Sequence, residues 1–234
     1  MAGSLYLGTS GFAYDEWKGS FYPEGLRSRD MLSFYASRFP SVEINYTFRR
    51  NPAEKTLHSW REQTPERFVF TLKANQRITH TLRLDDADEA VSFFLERARR
   101  LGDRLGPILF QCPPSLRYDR ALIERFLGGL PPMLAAMEFR HPSWEEARDL
   151  LTDQGVAWCV AETDEKAPAG PPWEPFGYLR LRKTTYTNEE LTAWADLIGP
   201  ALADGRDVYC YFKHEEHGDA PAFAARLGEL LGSG

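Results

Sequence analysis

Residues 68–111 read FVFTLKANQRITHTLRLDDADEAVSFFLERARRLGDRLGPILFQ, and this stretch decides the fold. Its two ends, Phe68–Lys73 and Pro107–Gln111, are short apolar runs of the kind that form buried β-strands. Between them, Asp86–Leu101 opens with acidic residues and closes with arginines, which matches the dipole of an α-helix. The stretch therefore predicts a strand, a crossover helix and a second strand parallel to the first.

The same alternation of strand and helix runs through the rest of the chain. Most of the predicted strands are apolar throughout, as strands buried on both faces must be. The other predicted strands are Leu5–Thr9, Ser41–Asn45, Ala135–Phe139, Ala157–Ala161, Gly177–Leu181 and Asp207–Phe212. The other predicted helices are Asp30–Arg38, Asp119–Leu127, Ser143–Asp153, Asn188–Ala203 and Asp219–Leu231, with Ser143 and Asn188 as N-caps.

Eight such units predict one α/β domain over residues 1–234, a single (β/α)8 TIM-type barrel. Its sixth βα unit is irregular, because residues 163–175 contain the Pro-rich run KAPAGPPWEP and have the composition of a loop. A doubly wound sheet is the main alternative. However, GTSG at residues 8–11 leads into an aromatic stretch rather than GxGxxG, so the dinucleotide fingerprint is absent.

Composition limits the function classes. The 234 residues carry a net charge of −6, so a globally basic nucleic-acid binder is not favoured. Apolar runs stay below the ~18 residues that cross a membrane, and MAGSLYLGTSG lacks the features of a secretory signal. The cysteines Cys112, Cys159 and Cys210 form no CxxC pair, which argues against a disulfide framework. We therefore predict a cytoplasmic protein and leave its oligomeric state open.

Two carboxylates stand inside apolar strands, which is the first sign of a site. Glu43 and Glu138 are each flanked by apolar residues, and burying an unpaired carboxylate costs several kcal/mol. Each must therefore face a polar site or find a partner, and a structural ion pair such as Glu138 with Arg140 remains the alternative to catalysis. In a barrel of this type the active site lies at the carboxyl ends of the strands, where both occur.

Five cations follow or end other strands and are expected to converge on the same mouth. They are Lys73, Arg140, Arg180, Arg182 and Lys213. Such a mouth suits a phosphate, carboxylate or nucleotide-like ligand, since arginine binds these groups through two hydrogen bonds. The alternative is a salt network that plugs the barrel, in which several of these cations pair with Glu43, Glu138, Glu162 and Asp164. The sequence leaves open whether Glu162 or Asp164 faces the mouth.

Histidines and aromatic residues complete the candidate site. His80, His141 and His214 each follow a strand, which suits general acid or base chemistry. A divalent metal is the less favoured interpretation, because no HxH or HExxH spacing is present. In the loop GFAYDEWKGSFYP, residues 11–23, Tyr14 and Trp17 are candidates for stacking on a base or sugar, and packing against the barrel is the alternative.

Six segments in order resemble the DUF72 (YecE-like) family. They are GTSGFAYDEWKGSFYP, VEINYTF, KANQRITH, LGPILFQCPP, EFRHPSW and YFKHEEHGDAPAFA, and the resemblance spans about Gly8 to Leu231. The resemblance implies a TIM-type barrel whose biochemical function is not established. Matching positions are Glu43, Asn45, Thr47, Phe48, Lys73, Thr79, His80, Gln111, Glu138, Arg140, His141, Trp144 and Tyr186. Arg182 stands where the family commonly has His, which weakens a metal site further.

The leading hypothesis is an enzyme acting by general acid/base chemistry on a phosphorylated or nucleotide-like substrate, although the sequence leaves open whether the protein is an enzyme. Its predicted catalytic residues are Glu43, Glu138, His141 and His80. Its predicted substrate-binding residues are Asn45, Thr47, Lys73, Gln111, Arg140, Arg180, Arg182, Lys213, Tyr14 and Trp17.

Two alternatives remain, and geometry separates them from the first. A non-catalytic module that binds a small anion or a partner predicts that every carboxylate is paired and that only cations face the cavity. A catalytic site predicts a carboxylate with a raised pKa and no Arg partner. A sugar isomerase or glycosidase-like barrel of the retaining kind needs two carboxylates roughly 5–5.5 Å apart.

Overall fold

Eight parallel strands form the barrel in the computed structural model, which describes residues 2–165, 173–213 and 218–232. The strands are β1 (Leu5–Thr9), β2 (Ser41–Ile44), β3 (Val69–Lys73), β4 (Leu105–Gln111), β5 (Ala135–Glu138), β6 (Ala157–Glu162), β7 (Gly177–Leu181) and β8 (Val208–Phe212). Their order is β1-β8-β7-β6-β5-β4-β3-β2, and a parallel bridge between Ser10 and Glu43 brings the two ends together. The predicted TIM-type barrel is therefore confirmed.

Helices surround the strands. They are α1 (Met31–Ala36), α2 (Tyr46–Arg49), α3 (Glu54–Gln63), α4 (Asp88–Ala98), α5 (Arg120–Gly128), α6 (Arg148–Asp153), α7 (Asn188–Ala203) and α8 (Ala220–Leu230). Short 3-10 helices cover Asp15–Trp17, Ser28–Asp30, Arg99–Arg104 and Pro142–Ala147, and a π-helix covers Arg77–Thr81. The sequence analysis missed α2 and α3. Within the described ranges, no helix combines the length and the apolar character needed to cross a membrane.

The irregular sixth unit that the sequence predicts lies partly outside the described residues. Between β6 and β7 the structure describes residues 163–165 and 173–176, and neither piece contains a helix; residues 166–172 of the Pro-rich run lie outside the described residues. Asp164 accepts hydrogen bonds from the backbone N–H and the hydroxyl of Thr184, which follows β7. The connection is thereby tied to the loop that follows β7.

Two predicted N-caps move by one or two residues. The N-cap of α7 is Thr187 rather than Asn188, since the Thr187 hydroxyl accepts from the Glu190 N–H while the Glu190 carboxylate accepts from the Thr187 N–H. This reciprocal pair is a capping box. His141, rather than Ser143, caps the 3-10 helix before α6, because its ring nitrogen accepts from the Ser143 N–H.

The barrel interior is layered, and its lower layers prepare the site above. Because alternate residues of a strand point to the same face, one set of positions from every strand fills the interior. Aromatic and small residues fill the lower part, among them Tyr178, Tyr209 and Tyr211. The Tyr211 hydroxyl lies 2.7 Å from Ser41 Oγ and 2.8 Å from Thr71 Oγ1. Two residues further along these strands, the inward positions are charged.

A tyrosine hydroxyl lies between β1 and β2, where the barrel closes. Tyr35 of α1 is fully buried, and its hydroxyl accepts from the Thr9 N–H at 2.7 Å and donates to the Ser41 carbonyl at 3.1 Å. Gly8 allows this close approach, because a Cβ there would lie 2.0 Å from the Ser41 carbonyl oxygen. The side chain thus replaces a hydrogen bond that the two strands would otherwise make directly.

We predict that Tyr35→Phe lowers the free energy of unfolding by about 1–3 kcal/mol, because it leaves a buried N–H and a buried carbonyl without their partner. Urea denaturation measures the change. Tyr46→Phe is the matched control, since Tyr46 is 44% exposed and should change stability by less than about 0.5 kcal/mol. Equal effects of the two substitutions would contradict the conclusion that the Tyr35 hydroxyl stabilises the contact between β1 and β2.

Candidate functional site

Arg180 of β7 lies at the centre of the upper layer and joins two carboxylates from opposite parts of the barrel. Its Nη2 and Nε lie 2.9 Å and 3.0 Å from the two oxygens of Glu43 on β2. Its Nη1 lies 2.5 Å from Oε2 of Glu138 on β5. All three side chains are at most 3% exposed, so the charges have little water to solvate them and depend on one another.

The remaining lone pairs of both carboxylates are also occupied. Glu43 accepts hydrogen bonds from Ser10 Oγ at 2.7 Å and from the Tyr178 hydroxyl at 2.8 Å. Glu138 accepts from Gln111 Nε2 at 2.7 Å and from Arg140 Nε at 3.2 Å. Neither carboxylate therefore keeps the accessible, weakly held lone pair that a general base requires.

The charge state of Glu138 follows from its neighbours. Burial alone would raise the pKa of Glu138, but the guanidinium groups of Arg180, Arg140 and Arg182 lower this pKa to about 2. A carboxylate that stays ionised and paired is a poor proton donor and a poor base at neutral pH. The predicted general-base role of Glu43 and Glu138 does not fit this geometry, and both residues instead hold Arg180 in place.

Lys73 ends β3 beside this cluster. Its Nζ donates to Gln111 Oε1 at 2.6 Å and lies 4.1 Å from the centre of the Phe48 ring. Burial and the charge of Arg180 lower the pKa of Lys73 to about 8, against the opposing effect of the two glutamates. At pH 7 about a tenth of the molecules therefore carry Lys73 as a neutral amine.

A cavity of about 500 Å³ opens above the cluster. Six of its lining residues are cations: Arg49, Lys73, Arg140, Arg180, Arg182 and Lys213. The other lining residues are Ser10, Tyr14, Asn45, Tyr46, Phe48 and Gln111. Among the described residues, no carboxylate lines this cavity, and the two carboxylates beneath it cannot neutralise the five cations other than Lys213. The cavity is therefore a region of positive potential in a protein of net charge −6.

Arg182 carries an unused hydrogen-bond donor at this cavity. Its Nη1 lies 3.8 Å from Oε1 of Glu138, but its Nε is buried and has no hydrogen-bond partner. A buried donor without a partner costs roughly 1–3 kcal/mol. An anion in the cavity would supply the missing acceptor.

Six predicted site residues are absent from the lining of the cavity: Glu43, Glu138 and His80, and three others that have structural contacts instead. Thr47 is fully buried, and its Oγ1 lies 2.6 Å from the Lys73 carbonyl oxygen. Trp17 is fully buried against Tyr14 in the loop after β1, so packing describes it better than ligand stacking. His141 is occupied as the helix cap described above. These contacts correct the catalytic role of His141 and the binding roles of Thr47 and Trp17.

His80 remains beside the cavity as an acid–base candidate. Its ring stands edge-on to Phe48, with centroids 4.9 Å apart, and Thr79 Oγ1 lies 2.8 Å from its Nδ1. Burial, together with the charges of Lys73 and Arg140, lowers the pKa of His80, so the imidazole is neutral at pH 7. The π-helix Arg77–Thr81 carries this histidine, and such helices occur frequently at functional sites.

Neither Glu162 nor Asp164 faces the cavity. Glu162 accepts hydrogen bonds from the Tyr186 hydroxyl at 2.7 Å and from Trp194 Nε1 of α7 at 3.1 Å, so it points toward the helix layer. Asp164 is held by Thr184 in the loop after β7, as described above. The salt-network alternative therefore fits Glu43 and Glu138, which pair with arginines, while Glu162 and Asp164 accept hydrogen bonds from uncharged groups.

The predicted site residues did not include Ser10, Tyr46 and Arg49, which line the cavity, and the resemblance alone pointed to Phe48. Tyr46, Phe48 and Arg49 belong to α2, which has a single turn and therefore too little length for a helical period to show. The available signal was the run YTFRR directly after the strand of Glu43, which places aromatic and cationic residues at a strand end.

A metal centre finds no support in the described part of the chain. Within residues 2–165, 173–213 and 218–232, no group of three or more His, Cys, Asp or Glu side chains is placed to hold a metal ion. The candidate ligand His214 lies outside the described residues. The three cysteines are buried free thiols, and burial raises the pKa of each thiol.

The fold and the position of the cavity define a TIM-type barrel with its candidate site at the carboxyl ends of the strands. A model of the family described as protein of unknown function DUF72 matches residues 6–234. The chain belongs to this family. A solved DUF72 family protein from Thermotoga maritima superposes with a TM-score of 0.79 at 24% identity, covering 98% of this chain and 99% of that chain.

Curated relatives agree with this assignment. The UPF0759 protein YunF of Bacillus subtilis is 25% identical over 97% of this chain and 94% of its own length. The UPF0759 protein YecE of Escherichia coli K12 is 30% identical over 76% of this chain and 66% of its own length. A DUF72 family protein from Enterococcus faecalis shares the fold, with a TM-score of 0.78 at 17% identity.

We predict that Arg180→Met lowers the free energy of unfolding by about 3–5 kcal/mol, because it leaves two buried carboxylates without their shared cation. The triple variant Arg180→Met, Glu43→Gln, Glu138→Gln should recover part of this loss, since it removes the unpaired charges as well. Chemical denaturation of both variants measures the difference. A triple variant less stable than the single one would contradict the charge argument.

The low pKa of Glu138 predicts a specific pH dependence of stability. Because the folded-state pKa of about 2 lies below the ordinary value of 4.5, ionised Glu138 stabilises the fold above about pH 4.5, and this contribution disappears as the pH falls toward 2. Its full size is roughly 3 kcal/mol. The stability difference between the wild type and Glu138→Gln should therefore shrink as the pH is lowered from 6 to 3, and a constant difference would contradict the assignment.

Proposed function

We propose that the barrel mouth binds a small anion that carries a phosphate group. The observation that carries the proposal is the imbalance of charge: five cations besides Lys213 line a cavity of about 500 Å³, and the two carboxylates beneath it are already saturated with hydrogen bonds. The buried and unpartnered Nε of Arg182 adds a donor that the protein itself does not satisfy. Arginine pairs well with phosphate, because its planar fork matches two phosphate oxygens.

The distribution of the lining residues supports a ligand with a ring as well as a phosphate. Tyr14, Tyr46 and Phe48 come from the segments after β1 and β2. Arg140 and Arg182 come from the ends of β5 and β7, further around the barrel. An aromatic side and a cationic side in one cavity suit a nucleotide-like or sugar-phosphate molecule, in which the ring stacks while the phosphate is bound by the arginines.

The carboxylates favour binding over the carboxylate-based reactions. Every carboxylate of the cluster has an arginine partner, and cations without carboxylates face the cavity in the described part of the chain, which is the pattern expected of an anion binder. Glycoside hydrolysis needs one carboxyl group that is protonated at the working pH. A pKa of about 2 at Glu138 and the arginine pairing of Glu43 do not suit that role. His80 and Lys73 are the remaining groups for proton transfer at this mouth.

Isothermal titration calorimetry tests the proposal with inorganic phosphate, AMP and adenosine. We expect AMP to bind more tightly than inorganic phosphate and adenosine to bind weakly, because only AMP uses both sides of the cavity. Arg182→Ala should weaken AMP binding by roughly 10- to 100-fold, the value of a charge-assisted hydrogen bond. Arg120→Ala is the control, since Arg120 is exposed on α5 and paired with Glu124.

Absence of binding by both phosphate and AMP would overturn the proposal. So would equal AMP affinity in the wild type and Arg182→Ala. The affinity should also fall as the salt concentration rises, because exposed charges at the rim are screened. An affinity for AMP that does not change with salt would argue against a charge-based site.

A further inference from the structure

The surroundings of Lys73 differ from those that a lysine needs only to bind an anion. Among the described residues, no carboxylate oxygen lies within 4 Å of its Nζ, and its hydrogen-bond partner is the amide oxygen of Gln111. The amide orientation is fixed, because Gln111 Nε2 donates to Glu138 and Oε1 therefore faces Lys73. An amide oxygen accepts a hydrogen bond from a neutral amine as well as from an ammonium. This contact therefore does not require Lys73 to be protonated.

The other neighbours of Lys73 also favour the neutral amine. The side chain is 8% exposed, and the cation Arg180 belongs to the same cluster. Desolvation and a nearby cation are the two means by which proteins make a lysine nucleophilic at neutral pH. Lys183 shows the opposite case outside the cavity: its ammonium pairs with Glu190, and this contact raises the pKa of Lys183.

We propose that Lys73 forms an imine with the carbonyl carbon of a small compound that also carries a phosphate or carboxylate group. The proposal rests on the proposed function, because the arginines of the cavity hold the anionic group while Lys73 reaches the carbonyl. It adds the chemical class of the substrate, an anionic aldehyde or ketone, and names the residue that bonds to it.

The step balances without an oxidant or a reductant. The lone pair of Lys73 Nζ attacks the carbonyl carbon, a C–N bond forms, and the carbonyl oxygen gains a proton as the nitrogen loses one. The carbinolamine then loses its hydroxyl with one more proton as water, and a C=N bond replaces the C–O bond. The net change is amine plus carbonyl to imine plus water.

Reductive trapping tests the proposal on the full chain. The protein is incubated with dihydroxyacetone phosphate and cyanoborohydride, which reduces an imine to a stable secondary amine, and the modified lysines are located by peptide mass mapping. We expect labelling of Lys73 at least 10-fold faster than labelling of Lys183. Dihydroxyacetone, which lacks the phosphate, should label Lys73 at least 10-fold more slowly, and excess inorganic phosphate should protect it.

Two variants and a pH series complete the test. Lys73→Arg should lose the rapid adduct, while Lys183→Arg, outside the cavity, should keep it. The labelling rate of Lys73 should rise with pH and be half-maximal near pH 8, the pKa of this amine. A half-maximal rate at the pKa of an ordinary lysine would count against the proposal.

The outcomes separate this proposal from the one on which it rests. Phosphate binding by calorimetry without labelling of Lys73 overturns the imine and leaves the anion site standing. Labelling of Lys73 and Lys183 at equal rates, or by dihydroxyacetone as fast as by its phosphate, also overturns the imine proposal. These measurements use the wild-type protein, so they decide the matter even if Lys73→Arg does not fold.

Discussion

The guanidinium of Arg180, held between Glu43 and Glu138 inside the barrel, is the interaction on which the upper half of the structure depends. Burying one unpaired charge at this depth destabilises the fold by several kcal/mol, and burying two like charges destabilises it more. Each of the three side chains therefore depends on the other two. The three come from β2, β5 and β7, so the cluster fixes the relative position of strands that are far apart in sequence. The carboxylate lone pairs that Arg180 does not occupy accept hydrogen bonds from Ser10, Tyr178, Gln111 and Arg140.

This arrangement has a consequence for the cavity above it. Both carboxylates pair with Arg180, and no carboxylate of the described residues lines the cavity that Lys73 and Arg182 face. Gln111 connects Glu138 to Lys73. Its amide nitrogen donates to Glu138, and its amide oxygen therefore faces the lysine and accepts from it. One buried salt cluster thereby determines both the sign of the potential at the mouth and the state of its lysine.

The fold was predictable to a large extent, and the site less so. All eight strands appear within a few residues of their predicted bounds, because each is a short apolar run between turn residues. The helices α2 and α3 were missed, since α2 has one turn and α3 is rich in polar residues. Most of the predicted ligand-binding residues line the cavity, because the carboxyl ends of parallel strands meet on one side of a barrel. The predicted roles of Glu43, Glu138 and His141 did not fit, because residue type alone does not say whether a polar group already has partners.

The sequence by itself determined that the chain forms a (β/α)8 barrel of the DUF72 family and which strand ends carry charge. Period and composition are local properties, and eight strand–helix repeats leave few ways to bury the apolar faces. The tertiary structure alone decided which charges neutralise each other. Glu43 and Glu138 both pair with Arg180, while Glu162 accepts hydrogen bonds from Tyr186 and Trp194. Pairing of this kind depends on distances of a few ångströms between residues that are 24 to 137 positions apart, and no local pattern in the sequence records those distances.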